Sequence, residues 1–279
     1  MKEAVQGFLP EGQYISCANG QTIHYLESGS GPAVVWLHGS GPGATGYSNF
    51  KGNYLAVAEA GFRSIVVDHP GFGFSSKPQD VDYTLAFFVT CLKQALDGLG
   101  VQRCALVGNS LGGAIAIGFA LAYPECVDKL VLMAPGACSP MSEYQTMPGI
   151  KKLFEVYGRG AALTEGDMAE LIREGLVHDA RHVTDDLLGE RMQAMALQNS
   201  HLMATLSIPE QIDCLKDIRC PVLGFWGMDE RMMPESGIMN FARNCQNMRL
   251  VLLSECGHWV MVEHEAVFNR YCVDFLRNG

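Results

Sequence analysis

Positive charge is scarce in this chain. Its 279 residues include 20 Lys and Arg against 30 Asp and Glu, a formal net charge of −10, and no local cluster of basic side chains offsets that balance. A polyanion such as nucleic acid is therefore excluded as a partner. No apolar run is long enough to span a bilayer, so no membrane association is expected. The opening Met1-Lys2-Glu3-Ala4-Val5-Gln6-Gly7 lacks the apolar segment of a secretory leader. A Cys-x-x-Cys pair is also missing. The ten cysteines are scattered, several of them (Cys104, Cys126, Cys220, Cys272) in apolar surroundings that suit small buried thiols. Together these absences predict a reduced, cytoplasmic protein. There are no internal repeats and no low-complexity tract. What is plentiful is apolar surface: 48% of residues are hydrophobic and 18% charged, enough for a large core and too apolar for disorder. The length suits one large domain, or a domain carrying an insertion.

From Gln13 to Glu27 polar and apolar residues alternate around Asn19-Gly20, which predicts an antiparallel hairpin. Ala33-Val34-Val35-Trp36-Leu37 follows as a continuous apolar run, the pattern of a strand buried on both faces. Similar runs recur at Ser64–Asp68, Cys104–Val107, Leu130–Met133, Pro221–Gly227 and Leu250–Leu253. Helical patterns separate them: Asn49 to Ala60, a stretch with Leu85, Phe88, Val89, Leu92, Leu96 and Leu99 (Asp82 or Thr84 as cap), and a last amphipathic helix through Val267 and Phe275. Strand alternating with helix implies an α/β protein with a mostly parallel, doubly wound sheet. The rhythm breaks from about Gly136 to Asp213, where the pattern is helical and Met-rich. This predicts a core domain at 1–135, a helical lid at 136–213, and the rest of the core at 214–279. Met141, Met147, Met192, Met195 and Met203 either line an adaptable apolar pocket or fill the lid's own core.

The chemistry centres on Val107-Gly108-Asn109-Ser110-Leu111-Gly112-Gly113. Its Gly-x-Ser-x-Gly pattern, with a strand before and a helix after, predicts a sharp turn that lifts the serine hydroxyl above the sheet. A serine needs a base to take its proton during attack, and a carboxylate to orient that base. Asp229 and His258 each follow a predicted strand, giving the order Ser110, Asp229, His258. Glu230 is the immediate rival acid; His38, His69 and His264 are rival bases. His258 is favoured because it follows the last strand directly after Gly257. His38-Gly39-Ser40-Gly41-Pro42-Gly43-Ala44 has the start of a nucleotide loop, but Ala44 and Pro42 spoil it; an oxyanion loop is the stronger reading. His178 and His182 stand i, i+4, yet no carboxylate completes a metal site, and a solvated face is expected.

With these motifs in view, the sequence resembles the α/β-hydrolase superfamily along nearly its whole length, and within it the meta-cleavage product hydrolases. The resemblance is carried by the His38–Ala44 loop, Ser48-Asn49-Phe50, Gly108–Gly113, Gly257-His258-Trp259 and Glu190-Arg191. Leu111 and the Met228–Pro234 acid loop depart from the family pattern. The resemblance implies hydrolysis of a carbon–carbon bond in a 2-hydroxy-6-oxohexa-2,4-dienoate, with no metal or organic cofactor. It further implies an oxyanion hole from the amides of Ser40 and Leu111, and substrate contacts from Arg191, Asn109, Trp259, Asn49 and Gly41. A homo-oligomer built on dimers is also implied. A serine carboxylesterase and a ligand receptor on a hydrolase fold compete; dehalogenases and epoxide hydrolases are disfavoured, since they carry Asp where this chain has Ser110.

Overall fold

Eight strands form one sheet in a computed structural model that describes residues 8–158, 163–198 and 200–279. They are β1 (Gln13–Ser16), β2 (Thr22–Ser28), β3 (Ala33–Leu37), β4 (Arg63–Val67), β5 (Cys104–Asn109), β6 (Val127–Met133), β7 (Val222–Gly227) and β8 (Met248–Leu253). The spatial order is β1-β2-β4-β3-β5-β6-β7-β8. The β1–β2 and β2–β4 pairs are antiparallel and every later pair is parallel. The Asn19-Gly20 hairpin forms as expected, with Gly20 at φ +83°.

Continuous apolar strands follow from burial on both faces. Val35 and Leu37 of β3 join one core cluster with Ile65, Leu106 and Leu132, covered by the helices Leu85–Gly98 and Leu111–Ala122. Val34 and Trp36 point the other way and pack with Val107, Val131, Phe225 and the C-terminal helix Glu265–Asn278. Burying each such side chain stabilises the fold by roughly 1.5–3 kcal/mol, so both faces of the strand must be apolar. Thr84, not Asp82, caps the Leu85 helix by accepting from the Phe87 amide.

The expected helix from Asn49 to Ala60 is instead two short helices, Gly46–Phe50 and Tyr54–Glu59. Between them, the Asn53 side chain donates to the Met261 carbonyl and to Asn269 Oδ1, which ties the break to the C-terminal region. Between β6 and β7 no strand occurs among the described residues. That stretch carries the helices Pro148–Gly158, Glu165–Leu171, Asp185–Met195 and Ser200–Thr205, with a wide π-type turn at Ile172–Leu176. The carboxyl ends of β3, β5, β7 and β8 lie along one edge of the sheet, where α/β proteins place their ligand crevices. Outside the helical excursion, Ser40, Gly41, Asn109, Ser110, Leu111, Asp229, His258 and Trp259 all lie at or beyond one of those ends, and Asn49 does not.

Candidate active site

Ser110 lies between β5 and the helix Leu111–Ala122 with φ 54° and ψ −116°, a strained conformation for a residue with a side chain. The turn is held from both sides: the Ser110 amide donates to Met133, and its carbonyl accepts from Ala114 and Gly136. The flanking glycines are steric requirements. A Cβ on Gly112 would run into the Leu37 carbonyl of β3, and one on Gly108 would meet the Gly112 carbonyl. Only hydrogen at both positions lets the helix start so close to the sheet. Leu111, the first helical residue, presents one of the amides that no intrahelical bond uses.

The His38–Ala44 loop faces this turn, and Gly39, Ser40, Gly41 and Ser110 line one cavity. His38 anchors the loop. Its Nδ1 donates to the Gly39 carbonyl at 2.6 Å, while its Nε2 accepts from the His69 amide at 3.0 Å. That pattern fixes the neutral tautomer, and burial pushes the His38 pKa down to about 4. His69 returns the contact by donating Nε2–H to the His38 carbonyl, and burial holds its pKa well below the usual range. Both histidines are therefore structural ties. His264 is removed from the cavity, with Nε2 near the Glu255 carbonyl.

His258, by contrast, lines the cavity together with Ser110. Its Nδ1 stands 2.6 Å from Glu230 Oε2, and both side chains are nearly inaccessible to solvent. Glu230 Oε1 accepts from the amides of Met232 and Met233, so this carboxylate is held at both oxygens. The expectation that Asp229 faces His258 is overturned. Asp229 is 39% exposed; its Oδ2 lies 3.3 Å from His178 Nδ1 and accepts from the Cys256 amide. Just beyond the end of β7, the Asp229 amide donates to the Cys256 carbonyl; the Asp229 side chain faces His178 and that of Glu230 faces His258. Glu263 braces the same corner: it accepts from Gly257, next to the histidine, and from His178 and Asp179 in the helical excursion.

Arg191 enters from the buried face of the helix Asp185–Met195, whose start Thr184 caps through the Leu187 amide. Arg191 is 2% exposed. It donates to the Pro42 carbonyl at 3.3 Å and to Asn49 Oδ1 at 3.4 Å, and it lies 4.7 Å from the centre of the Trp259 ring. Neighbouring Glu190 is engaged elsewhere, with Lys51 at 2.7 Å. Among the described residues, no carboxylate pairs with Arg191, and its Nε has no partner. Burial lowers its pKa to about 10, which leaves it charged at neutral pH. Asn49 passes the orientation on: its Nδ2 donates to Asn109 Oδ1 at 3.2 Å, and Asn109 Nδ2 donates to the Met133 carbonyl. The cavity thus has a polar end carrying one buried cation and two fixed amides.

Of the two readings open for Met141, Met147, Met192, Met195 and Met203, pocket lining is not met, since none of the five lines the cavity. Met168, Met232 and Met233 do, while Met141 is 53% exposed and Met192 packs against the core. Of the three that line it, only Met168 belongs to the Met-rich stretch 136–213; Met232 and Met233 follow β7. His178 and His182 do not join in a metal site: among the described residues no group of three or more His, Cys, Asp or Glu could hold an ion.

Comparison with known proteins agrees with this geometry. A family model described as alpha/beta hydrolase fold matches residues 32–165. The chain is 37% identical over 265 residues to the 2-hydroxy-6-oxo-6-phenylhexa-2,4-dienoate hydrolase of Comamonas testosteroni, covering 91% of each. It is 39% identical over 266 residues to the 2-hydroxy-6-oxononadienedioate/2-hydroxy-6-oxononatrienedioate hydrolase of Burkholderia vietnamiensis, again covering 91% of each. The chain belongs to the meta-cleavage product hydrolases of the α/β-hydrolase fold. Among solved structures, a serine-to-alanine mutant of the meta-cleavage product hydrolase from Pseudomonas fluorescens IP01, complexed with acetates, superimposes on this hydrolase with a TM-score of 0.82. That match has 26% identity over 95% of this chain and 97% of that one. The hydrolase is therefore a serine-dependent enzyme, with Ser110 at its elbow. No helix among its described residues is long and apolar enough to cross a membrane.

Proposed function

We propose that the hydrolase cleaves the carbon–carbon bond of a 2-hydroxy-6-oxohexa-2,4-dienoate, releasing 2-hydroxypenta-2,4-dienoate and a carboxylic acid in aromatic catabolism. The observation that carries this reading is Arg191, a buried cation without a carboxylate partner among the described residues, lining the same cavity as Ser110 and His258. A charge is held in such a place at a cost unless a ligand completes it. A substrate carboxylate would do so, through two parallel N–H···O bonds.

The polar groups suggest an order of events. Arg191 binds the C1 carboxylate while Asn49, Asn109 and the Trp259 indole surround the 2-hydroxy/oxo end. Moving the enol proton to C5 gives the keto form, so that the C5–C6 bond can break with its electron pair delocalised into the 2-oxo system. His258 takes the Ser110 proton, and Glu230 orients the imidazole and stabilises its positive form. Ser110 Oγ attacks C6, and the amides of Ser40 and Leu111, with Gly41 beside them, receive the oxyanion. The C5–C6 bond then breaks, leaving an acyl-serine and the dienolate, which takes the proton. Water, activated by His258, hydrolyses the acyl-serine to the acid.

The helical segment 136–213 would act as the lid that brings Arg191 over the cavity. The ten free cysteines support a working place in the reducing cytoplasm. A dimer-based assembly is tested by light scattering of the purified protein. The decisive assay offers yellow ring-fission dienoates and simple aryl esters side by side. Bleaching of the dienoates is expected; hydrolysis of the esters alone would make the protein a carboxylesterase.

A further inference from the structure

The two curated relatives differ in what their substrates carry beyond the 6-oxo group. One name specifies a phenyl substituent, the other a second carboxylic acid, and identities of 37% and 39% do not separate them. The cavity wall does. Ile150, Leu153, Leu176, Met232 and Met233 line the cavity and belong to one apolar cluster with Trp226 and Ile238. Arg191, Asn49 and Asn109 are grouped elsewhere on the lining, joined by their own hydrogen bonds.

Charge near the apolar wall has the wrong sign for an anion. The amides of Met232 and Met233 donate to Glu230, whose carboxylate is 5% exposed. Of the cations adjoining the wall residues in sequence, Arg231 donates Nη1 to the carbonyls of Arg173 and Glu174, Lys152 is paired with Glu155, Glu170 and Glu174, and Lys151 is exposed. We infer that the hydrolase takes dienoates with a single carboxylate, whose 6-acyl group is apolar (alkyl or aryl), and discriminates against dienedioates. This rests on the function proposed above. A second carboxylate entering that wall leaves water for methionine and leucine side chains and faces the Glu230 charge. An apolar acyl group gains from the same burial, and flexible methionines adapt to its shape. Selectivity then comes from what the wall rejects as much as from what it holds.

The test compares kcat/KM for 2-hydroxy-6-oxo-6-phenylhexa-2,4-dienoate, a 6-alkyl analogue and 2-hydroxy-6-oxononadienedioate. The two monocarboxylates are expected to exceed the dienedioate by ~10²-fold or more, as for a buried charge without a partner. A dienedioate turned over equally well or better overturns the inference and leaves C–C hydrolysis standing. No turnover of any of the three overturns the proposed function, and this inference with it. Leu153→Arg adds a cation to the wall and should raise the dienedioate-to-phenyl ratio at least ~10-fold. An unchanged ratio in a folded variant also contradicts the inference; if that variant fails to fold, the wild-type comparison decides alone.

Discussion

Glu230 Oε2 lies 2.6 Å from His258 Nδ1, while its neighbour Asp229 turns to His178 at 3.3 Å. Two adjacent carboxylates thus have separate partners, and their substitutions should separate as cleanly. Glu230→Gln keeps the shape but removes the charge that orients and stabilises the imidazole, and kcat should fall by ~10²–10⁴-fold. Asp229→Asn should leave kcat within about threefold, since the pair with His178 is exposed and of small worth and the asparagine oxygen can still accept from the Cys256 amide. Steady-state kinetics on both variants checks this; the reverse pattern would return the acid's role to Asp229.

Arg191 should matter to the carboxylate rather than to the acyl chemistry. Arg191→Ala is expected to lower kcat/KM by ~10²-fold or more, and Arg191→Lys to recover only part, because a lysine ammonium lacks the planar fork and the stacking on Trp259. Unchanged kinetics in the alanine variant would remove Arg191 from the site.

Ser110→Ala should abolish turnover and retain dienoate binding, since the cation that holds the carboxylate is a separate group. Titration followed by the dienoate's visible absorbance measures this. Loss of binding together with turnover would mean that the elbow, not Arg191, holds the substrate.

Stability should depend on acid through the two buried histidines. Burial lowers the His38 pKa from 6.5 to about 4 and that of His69 well below 6.5, so between those values the unfolded chain binds more protons than the folded one. Their neutral-state stability is present above about pH 6.5 and is lost as pH falls toward 4; for His38 alone it is on the order of 3 kcal/mol. Denaturant midpoints at pH 7 and 4.5 should differ accordingly, and a flat profile would contradict the buried neutral assignment.

The elbow glycines give a structural prediction. Gly112→Ala places a methyl group against the Leu37 carbonyl. It should destabilise the protein by about 1–3 kcal/mol, as overpacking does, and reduce kcat by displacing Ser110. An unchanged melting temperature and full activity would show that the helix can retreat from β3 without consequence.

Much of this architecture was legible in the sequence, for a physical reason. A strand buried on both faces must be apolar throughout, so β3, β5 and β7 announced themselves, and the glycines of the elbow marked where two backbones meet. The choice between Asp229 and Glu230 was not legible. Both follow the same strand end, and the partner that each side chain meets, His178 or His258, comes from a residue far along the chain. Which methionines line the cavity was not legible for a related reason, since composition gives abundance but not facing. Arg191 drew notice only through family resemblance; nothing local in an Asp- and Glu-rich helix marks one arginine as buried.

The central claim is that Arg191 and Ser110 hold and cleave one molecule, a dienoate, across its C5–C6 bond. The most direct measurement mixes the purified hydrolase with a 2-hydroxy-6-oxohexa-2,4-dienoate, follows the loss of its yellow colour and identifies the products. Rapid bleaching with equimolar 2-hydroxypenta-2,4-dienoate and carboxylic acid, abolished in Ser110→Ala, is the predicted result. Persistent colour in the presence of an enzyme active on simple aryl esters would contradict the account.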